Sequence, residues 1–243
     1  VRGGNWKALF FSGLLTLSMQ TALGAEKMVN DFQNWDVITL TLPVSPGKRV
    51  LFYGEAQPRV GNLQDRGTSN DFSMLILRTA LGYQLTPKIS VWQGYAWVPI
   101  FEPEHLNENR IFQQIQIKNK FHKLDIVNRT RLEERWIENT EKTSIRARHL
   151  LRLTYPLDRK ERWLLVGSNE VFVTLKGVPN GPANGFDQNR LFVGINRKLN
   201  KNISLETGYM NQYVNTRDPL SDRMNHIIWL GVNFQGRQGQ AKF

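Results

Sequence analysis

From residue 30 onward, apolar and polar positions alternate in short runs, and no stretch carries the period of a long amphipathic helix. Residues 203–213 place Ile203, Leu205, Thr207, Tyr209, Asn211 and Tyr213 on one side of an extended chain, and Ser204, Glu206, Gly208, Met210 and Gln212 on the other. Residues 145–155 set Ile145, Ala147, Leu151, Leu153 and Tyr155 against Arg146, Arg148 and Arg152. Residues 124–135 oppose Leu124, Ile126 and Leu132 to Asp125, Arg129, Arg131, Glu133 and Arg135. Residues 111–121 oppose Ile111, Ile115, Ile117 and Phe121 to Gln114, Gln116, Lys118 and Lys120. Two further runs, 88–100 and 161–174, are apolar on both sides and leave their register open. The pattern predicts eleven strands near 32–43, 48–60, 71–85, 88–100, 109–121, 123–137, 143–156, 161–174, 187–199, 202–214 and 224–234. Each is about as long as the ~9–11 residues that cross a bilayer as a tilted strand.

The connections alternate in length. Short turns fall at Ser45–Lys48, Thr86–Lys88, Phe121–Lys123, Asp158–Lys160 and Asn200–Asn202. Longer polar loops fall at Gly61–Asn70, Glu102–Asn107, Asn139–Lys142, Lys176–Gly185 and Thr216–Asp222. Short turns on one rim and longer loops on the other, with one apolar and one polar side to each strand, is the layout of a barrel in lipid. The expected fold is therefore all-β, a single up-and-down antiparallel transmembrane β-barrel of ten to twelve strands. Strand parity is a difficulty, because eleven strands leave the first and last running the same way, whereas bacterial single-chain barrels have even counts. Either residues 25–31 add a strand, or 32–43 lies partly in the lumen, or one segment is miscounted. Trp35, Tyr83, Trp97, Trp136, Tyr155, Trp163, Tyr209 and Tyr213 are candidates for aromatic belts at the two membrane interfaces.

Composition changes this picture less than it first promises. The 243 residues carry Lys+Arg 32 against Asp+Glu 21, a formal charge of +11, no cysteine and a mean hydropathy of −0.42. These values exclude a disulfide-stapled miniprotein, a cysteine-ligated metal site and a polytopic helical membrane protein. They do not exclude a membrane barrel, which shows lipid only every second strand residue.

Arg2 and Lys7, the apolar run Ala8–Met19 and the small residues Ala22 and Gly24 ahead of Ala25 have the layout of a secretory signal peptide. Residues 1–24 are read as that signal, 25–234 as the barrel and 235–243 as a C-terminal extension. Loss of Arg2 and Lys7 lowers the charge from +11 to +9. The run Leu230-Gly231-Val232-Asn233-Phe234 is similar to the terminal strand signal read by the bacterial barrel-insertion machinery. Nine residues follow it, ending in Phe243, so the usual terminal aromatic is displaced or duplicated.

Further groups stand out: Asp31-Phe32-Gln33-Asn34-Trp35, Glu55 with Arg59, Asn109-Arg110 with Gln113-Gln114, Arg131-Leu132-Glu133-Glu134-Arg135, and Arg148 with Arg152-Leu153 and Tyr155-Pro156-Leu157. Asn169-Glu170, Phe186-Asp187-Gln188-Asn189-Arg190 and Gly208-Tyr209 complete the set. On these the chain resembles the bacterial family called domain of unknown function 2490. The resemblance implies an outer-membrane β-barrel of a Gram-negative bacterium and implies no catalytic residues.

The polar strand faces direct Glu55, Arg59, Arg78, Arg129, Arg131, Glu133, Arg135, Arg146, Arg148, Arg152, Glu170, Arg190 and Glu206 into one lumen. Facing lipid at mid-depth, a charge costs roughly 2–4 kcal/mol, so their concentration on these faces itself argues for the barrel. Two expectations follow: a plug of mutually satisfied Arg–Glu pairs, or a narrow anion-preferring pore created by the arginine excess. Barrel size favours the plug. Alternatives are a lipid-modifying enzyme and a soluble lipocalin-like binding barrel. His105 and His122 sit in connections, His149 and His226 on apolar faces, and no Ser–His–acid spacing accompanies them. No metal-ligand spacing, cofactor motif or phosphate loop is present in the sequence. Lys118-Asn119-Lys120 and Arg129-Thr130-Arg131 alternate too strictly for an exposed nucleic-acid patch. The expected partners are outer-membrane lipid and the insertion machinery, the latter through the strand ending at Phe234.

Overall fold

A computed structural model describes residues 28–45, 47, 49–61, 71–102, 105–216 and 222–236. The eleven strands are β1 (Val29–Pro43), β2 (Val50–Gly61), β3 (Asp71–Gln84), β4 (Ile89–Ile100), β5 (Leu106–Phe121), β6 (Leu124–Ile137), β7 (Ser144–Pro156), β8 (Trp163–Lys176), β9 (Gly185–Lys198), β10 (Ile203–Val214) and β11 (Arg223–Gln235). Every boundary lies within three residues of the one that alternation predicts. Successive strands pair antiparallel, and β1 closes the barrel against β11. The signal-like segment 1–24 and residues 237–243 lie outside the described residues.

Parity is resolved by none of the three routes anticipated from the sequence. β1 and β11 pair in parallel, from Val29↔Arg223 to Thr41↔Gln235, so an odd number of strands still leaves no free edge. Parallel neighbours ordinarily require a crossover connection, but these two are the barrel's chain ends and nothing needs to join them. The start of β1 therefore lies at the rim of the longer loops, and the end of β11 at the rim of the short turns. The strand pattern extends one residue beyond Phe234, and the Gly236 N–H donates to the Thr41 carbonyl at 2.7 Å. The first two residues assigned to a C-terminal extension thus belong to the closing seam.

The rims differ in length less sharply than the sequence indicates. Connections 44–49, 85–88, 122–123, 157–162 and 199–202 run from two to six residues, against five to nine for 62–70, 101–105, 138–143, 177–184 and 215–222. The tightest, His122-Lys123, places His122 at φ 53°, where the left-handed backbone lets a two-residue hairpin follow the strand twist. In the 157–162 turn, the Asp158 carboxylate accepts the backbone N–H of Trp163 at 2.9 Å and of Arg162 at 2.8 Å, which holds its carboxyl below the usual carboxylate range.

Alternation delivers two surfaces of opposite character. Outward side chains include the exposed Ile38, Leu81, Leu191, Val193, Ile228 and Leu230, while their inward neighbours Val37, Ala80, Phe192 and Ile227 are buried. Tyr83, Tyr155 and Trp163 ring the short-turn end of the outer wall, and Trp97, Trp136 and Tyr213 the other. Trp35 departs from the expected belt: it points inward and is 1% exposed. Its neighbours Asp31, Gln33 and Val37 share that inward face, so the period of β1 itself excludes an outward indole.

Polar outward side chains are largely paired. The Asn169 and Asn189 amides bond reciprocally at 3.2 Å, and Thr130 lies 2.9 Å from His149. Asp36 faces outward halfway along β1. There the β1–β2 ladder is interrupted between Trp35↔Arg59 and Ile38↔Ala56, opposite Pro58, which has no N–H to donate.

Inward glycines make room for lumen aromatics. A Cβ on Gly94 would lie 2.2 Å from Phe112 Cζ and 2.7 Å from the Thr79 carbonyl oxygen, neither of which can swing aside. Gly94→Ala is expected to destabilise the barrel by about 1–3 kcal/mol, the usual cost of overpacking. Equilibrium urea unfolding checks this, and a midpoint equal to the parent's is the contrary result.

Candidate functional site

The lumen is built from the inward rows of all eleven strands, and its centre is a charge network on β6, β7 and β8. Glu133, 1% exposed, accepts from Arg146 at 2.7 Å and from Arg148 at 2.7 Å, with Arg131 at 3.6 Å. Arg148 also donates to Glu170 at 2.9 Å, and Arg129 reaches the same carboxylate at 2.7 Å. Arg146 extends the network to Asp187 at 3.1 Å. The register places Glu133 opposite Arg146 and diagonal to Arg148, and it sets the like charges Arg131 and Arg148 opposite each other, both within reach of the Glu133 carboxylate.

Three smaller groups surround this centre. Arg78 donates to Glu55 at 2.5 Å, and the Tyr53 hydroxyl donates to the same carboxylate. Arg110 and Arg135 grip Glu108 from adjacent strands at 2.7 and 2.5 Å. Arg152 pairs with Glu206, which also accepts from Asn196 at 3.1 Å. Arg131 is completed by the Gln114 amide oxygen at 2.7 Å. Arg59 and Arg190 complete the thirteen candidate residues, and neither makes an ion pair among the described residues.

Aromatic rings separate the like charges. Arg59 and Arg190 lie over Trp35 at 3.5 and 4.9 Å, and Arg190 and Arg148 over Phe172 at 4.5 and 4.4 Å. Arg131 lies over Phe112 at 4.1 Å. Each ring offers its negative face to a guanidinium. Sequence reasoning omits Trp35, Phe112, Phe172, Arg110, Glu108 and Asp187 from the lumen. Arg110 and Phe112 continue the inward row of Gln114 and Gln116, so alternation alone recovers them. Asp187 is invisible to alternation, because the β8–β9 register shifts beside it between Phe172 and Val173.

Two cavities flank the network. One of about 390 Å³ lies toward the long-loop rim, among Gln33, Trp35, Arg59, Arg110, Arg190 and Asn225. One of about 400 Å³ lies toward the short turns, among Thr39, Gln116, Arg152, Asn196 and Glu206. Glu55, Arg129, Glu170, Arg190, Met210 and Trp229 border both and form the septum. Around its level Phe112, Glu133, Val166, Phe172 and Ile227 are at most 2% exposed.

The outward histidines have local partners. Tyr209 Oη lies 2.6 Å from His226 Nδ1, Asn30 Oδ1 lies 3.2 Å from its Nε2, and Phe32 stacks on the ring at 4.9 Å. Among the described residues no serine or carboxylate bonds to either His149 or His226; His149 meets the Thr130 hydroxyl, and His226 the Tyr209 hydroxyl and the Asn30 amide. Among the described residues, no three of His, Asp and Glu gather as a metal site.

A family model described as protein of unknown function (DUF2490) matches residues 32–225. An uncharacterized protein of Methylorubrum extorquens is 32% identical over 225 residues, covering 90% of this chain and 93% of that protein. Among solved structures, a bacterial polysaccharide outer membrane secretin aligns with 74% of this chain and 72% of its own at 10% identity and a TM-score of 0.42.

The network's energetics depend on completeness. Glu133→Gln leaves Arg146 and Arg148 without their shared carboxylate and is expected to cost about 3–5 kcal/mol, the range for breaking a buried ion pair. Arg152→Gln, whose side chain is 30% exposed, is expected to cost about 1 kcal/mol or less. Paired denaturation curves check the contrast, and equal losses would contradict it.

Proposed function

The chain belongs to the family described as protein of unknown function (DUF2490), and on that premise we propose that it is a Gram-negative outer-membrane β-barrel with a lumen closed by paired charges. It is structural in this closed state, and any narrow path through it prefers anions. The observation that carries this reading is the inversion of the two surfaces. Large aliphatic side chains cover the outside bare, while arginines and glutamates fill the inside. A soluble binding barrel needs the opposite arrangement, with a polar wall and an apolar interior. In lipid, a closed sheet satisfies every backbone group, and the aromatic residues near both rims suit the headgroup regions.

Export by a cleaved signal and insertion through the strand ending at Phe234 complete the reading, with the short turns toward the periplasm. Among the described residues, ten arginines and seven carboxylates lie in the lumen between its rims, counting Arg110, Glu108, Asp187 and Asp31 with the other inward groups, and this excess favours anions.

In planar bilayers the purified barrel is expected to give no porin-sized conductance, and any residual current to reverse on the anion side in a salt gradient. Large steady currents or cation preference would sink the proposal. The parallel seam adds a topological test. An epitope just ahead of Val29 should be reached by antibody on intact cells, whereas one beyond Gly236 should be reached only after the outer membrane is permeabilised. Both epitopes on one side, or the protein in the soluble fraction, would count against a spanning barrel of this closure.

A further inference from the structure

Ten arginines project into the lumen between its rims, and eight of them have a carboxylate within ion-pair distance. The two that do not, Arg59 and Arg190, border the same cavity and lie over the same indole ring. Arg59 is 8% exposed; it donates only to the Gln57 amide oxygen at 3.1 Å and to Met74 Sδ at 3.7 Å, and its Nε has no partner. Arg190 donates to the Gln188 amide oxygen at 3.2 Å.

A guanidinium cannot shed its proton to escape burial, so an unneutralised pair must be met by an outside negative charge or remain a standing cost. Cation–π contact with Trp35 softens each charge without cancelling it. The surrounding amides of Gln57, Gln188, Gln212 and Asn225 add neutral hydrogen-bonding groups, and of the carboxylates that also border the chamber Glu55, Glu108 and Glu170 are each held by other arginines.

We propose that the chamber on the long-loop side of the septum is a binding site for a small free oxyanion, a phosphate or carboxylate group, held between Arg59 and Arg190 beside Trp35. Two guanidinium forks suit a ligand presenting at least two oxygens, and about 390 Å³ accommodates such an ion with part of its hydration. This inference rests on the closed-lumen reading and is independent of the membrane assignment.

The test is calorimetric titration of inorganic phosphate into the full mature chain, refolded in neutral, phosphate-free detergent at low ionic strength. Saturation at one site is expected, weakened at least tenfold in both Arg59→Gln and Arg190→Gln. It should change less than twofold in Arg197→Gln, an outward arginine over Trp163. Because each lumen variant removes an unpaired buried charge, both should melt no lower than the parent without phosphate. Phosphate should then raise the parent's melting temperature and not theirs.

A short-chain phosphatidic acid in the same detergent separates the sources of the phosphate group. Saturation by that lipid and not by free phosphate overturns the proposal, as does the absence of saturation or equal binding by all three variants. Recovery of the protein from the soluble fraction would overturn the membrane reading while leaving this titration to stand or fall by itself.

Discussion

Closure of the sheet is the constraint from which the rest of this molecule follows. Every strand must find a backbone partner on both sides, because an open edge is a site of aggregation in water and prohibitively costly in lipid. Eleven strands meet that demand only if one pair runs parallel, and the thirteen-residue register between β1 and β11 supplies it. The seam is possible here because its strands are the barrel's chain ends, which removes the crossover that parallel pairing otherwise imposes. It also puts the two ends on opposite rims, which an even-stranded meander cannot do.

A closed wall of this girth leaves an interior too narrow for a broad aqueous channel yet too wide to fill with small side chains. Long arginines solve the filling problem and create an electrostatic one. The network on β6–β8 answers it by sharing: Glu133 and Glu170 each serve more than one guanidinium, and Phe172 stands between arginines that would otherwise repel. Such sharing is not strong evidence of stability, since an apolar filling of equal volume could serve as well. What it fixes is register, because a one-residue slip of β7 would turn Arg146, Arg148 and Arg152 outward together.

Strand number, position and inward faces were legible in the sequence because alternation is the one signal a two-surfaced sheet must write. Arg146, Arg148 and Arg152 oppose an apolar row interrupted only by His149, and their direction needs no structure. The parallel seam was not legible, since pairing between chain ends leaves no mark on either strand's period. Trp35 was misplaced for a different reason: aromatic belts are a statistical habit of barrels, whereas the inward row of β1 is a geometric requirement, and the requirement wins. Glu108 lay one residue ahead of the strand start expected at 109, and its role emerges only when β5 and β6 bring Arg110 and Arg135 to it from two strands.

The barrel's least regular arc and its unneutralised charge lie back to back. On β1, Asp36 faces outward where the ladder to β2 is interrupted opposite Pro58, while the other side of the strand is held by the parallel seam. Trp35, the adjacent residue, faces inward and carries Arg59 and Arg190 over its ring. Local opening is easiest where backbone bonds are fewest and hardest where they are continuous. Entry of an anion beside Trp35 therefore asks for movement in β1 and β2, where a bond is already missing, and leaves the shared carboxylates of β6–β8 undisturbed. The β6–β8 side of the lumen binds its arginines in shared ion pairs, and the side that departs from the rules holds Arg59 and Arg190, which have no ion pair among the described residues.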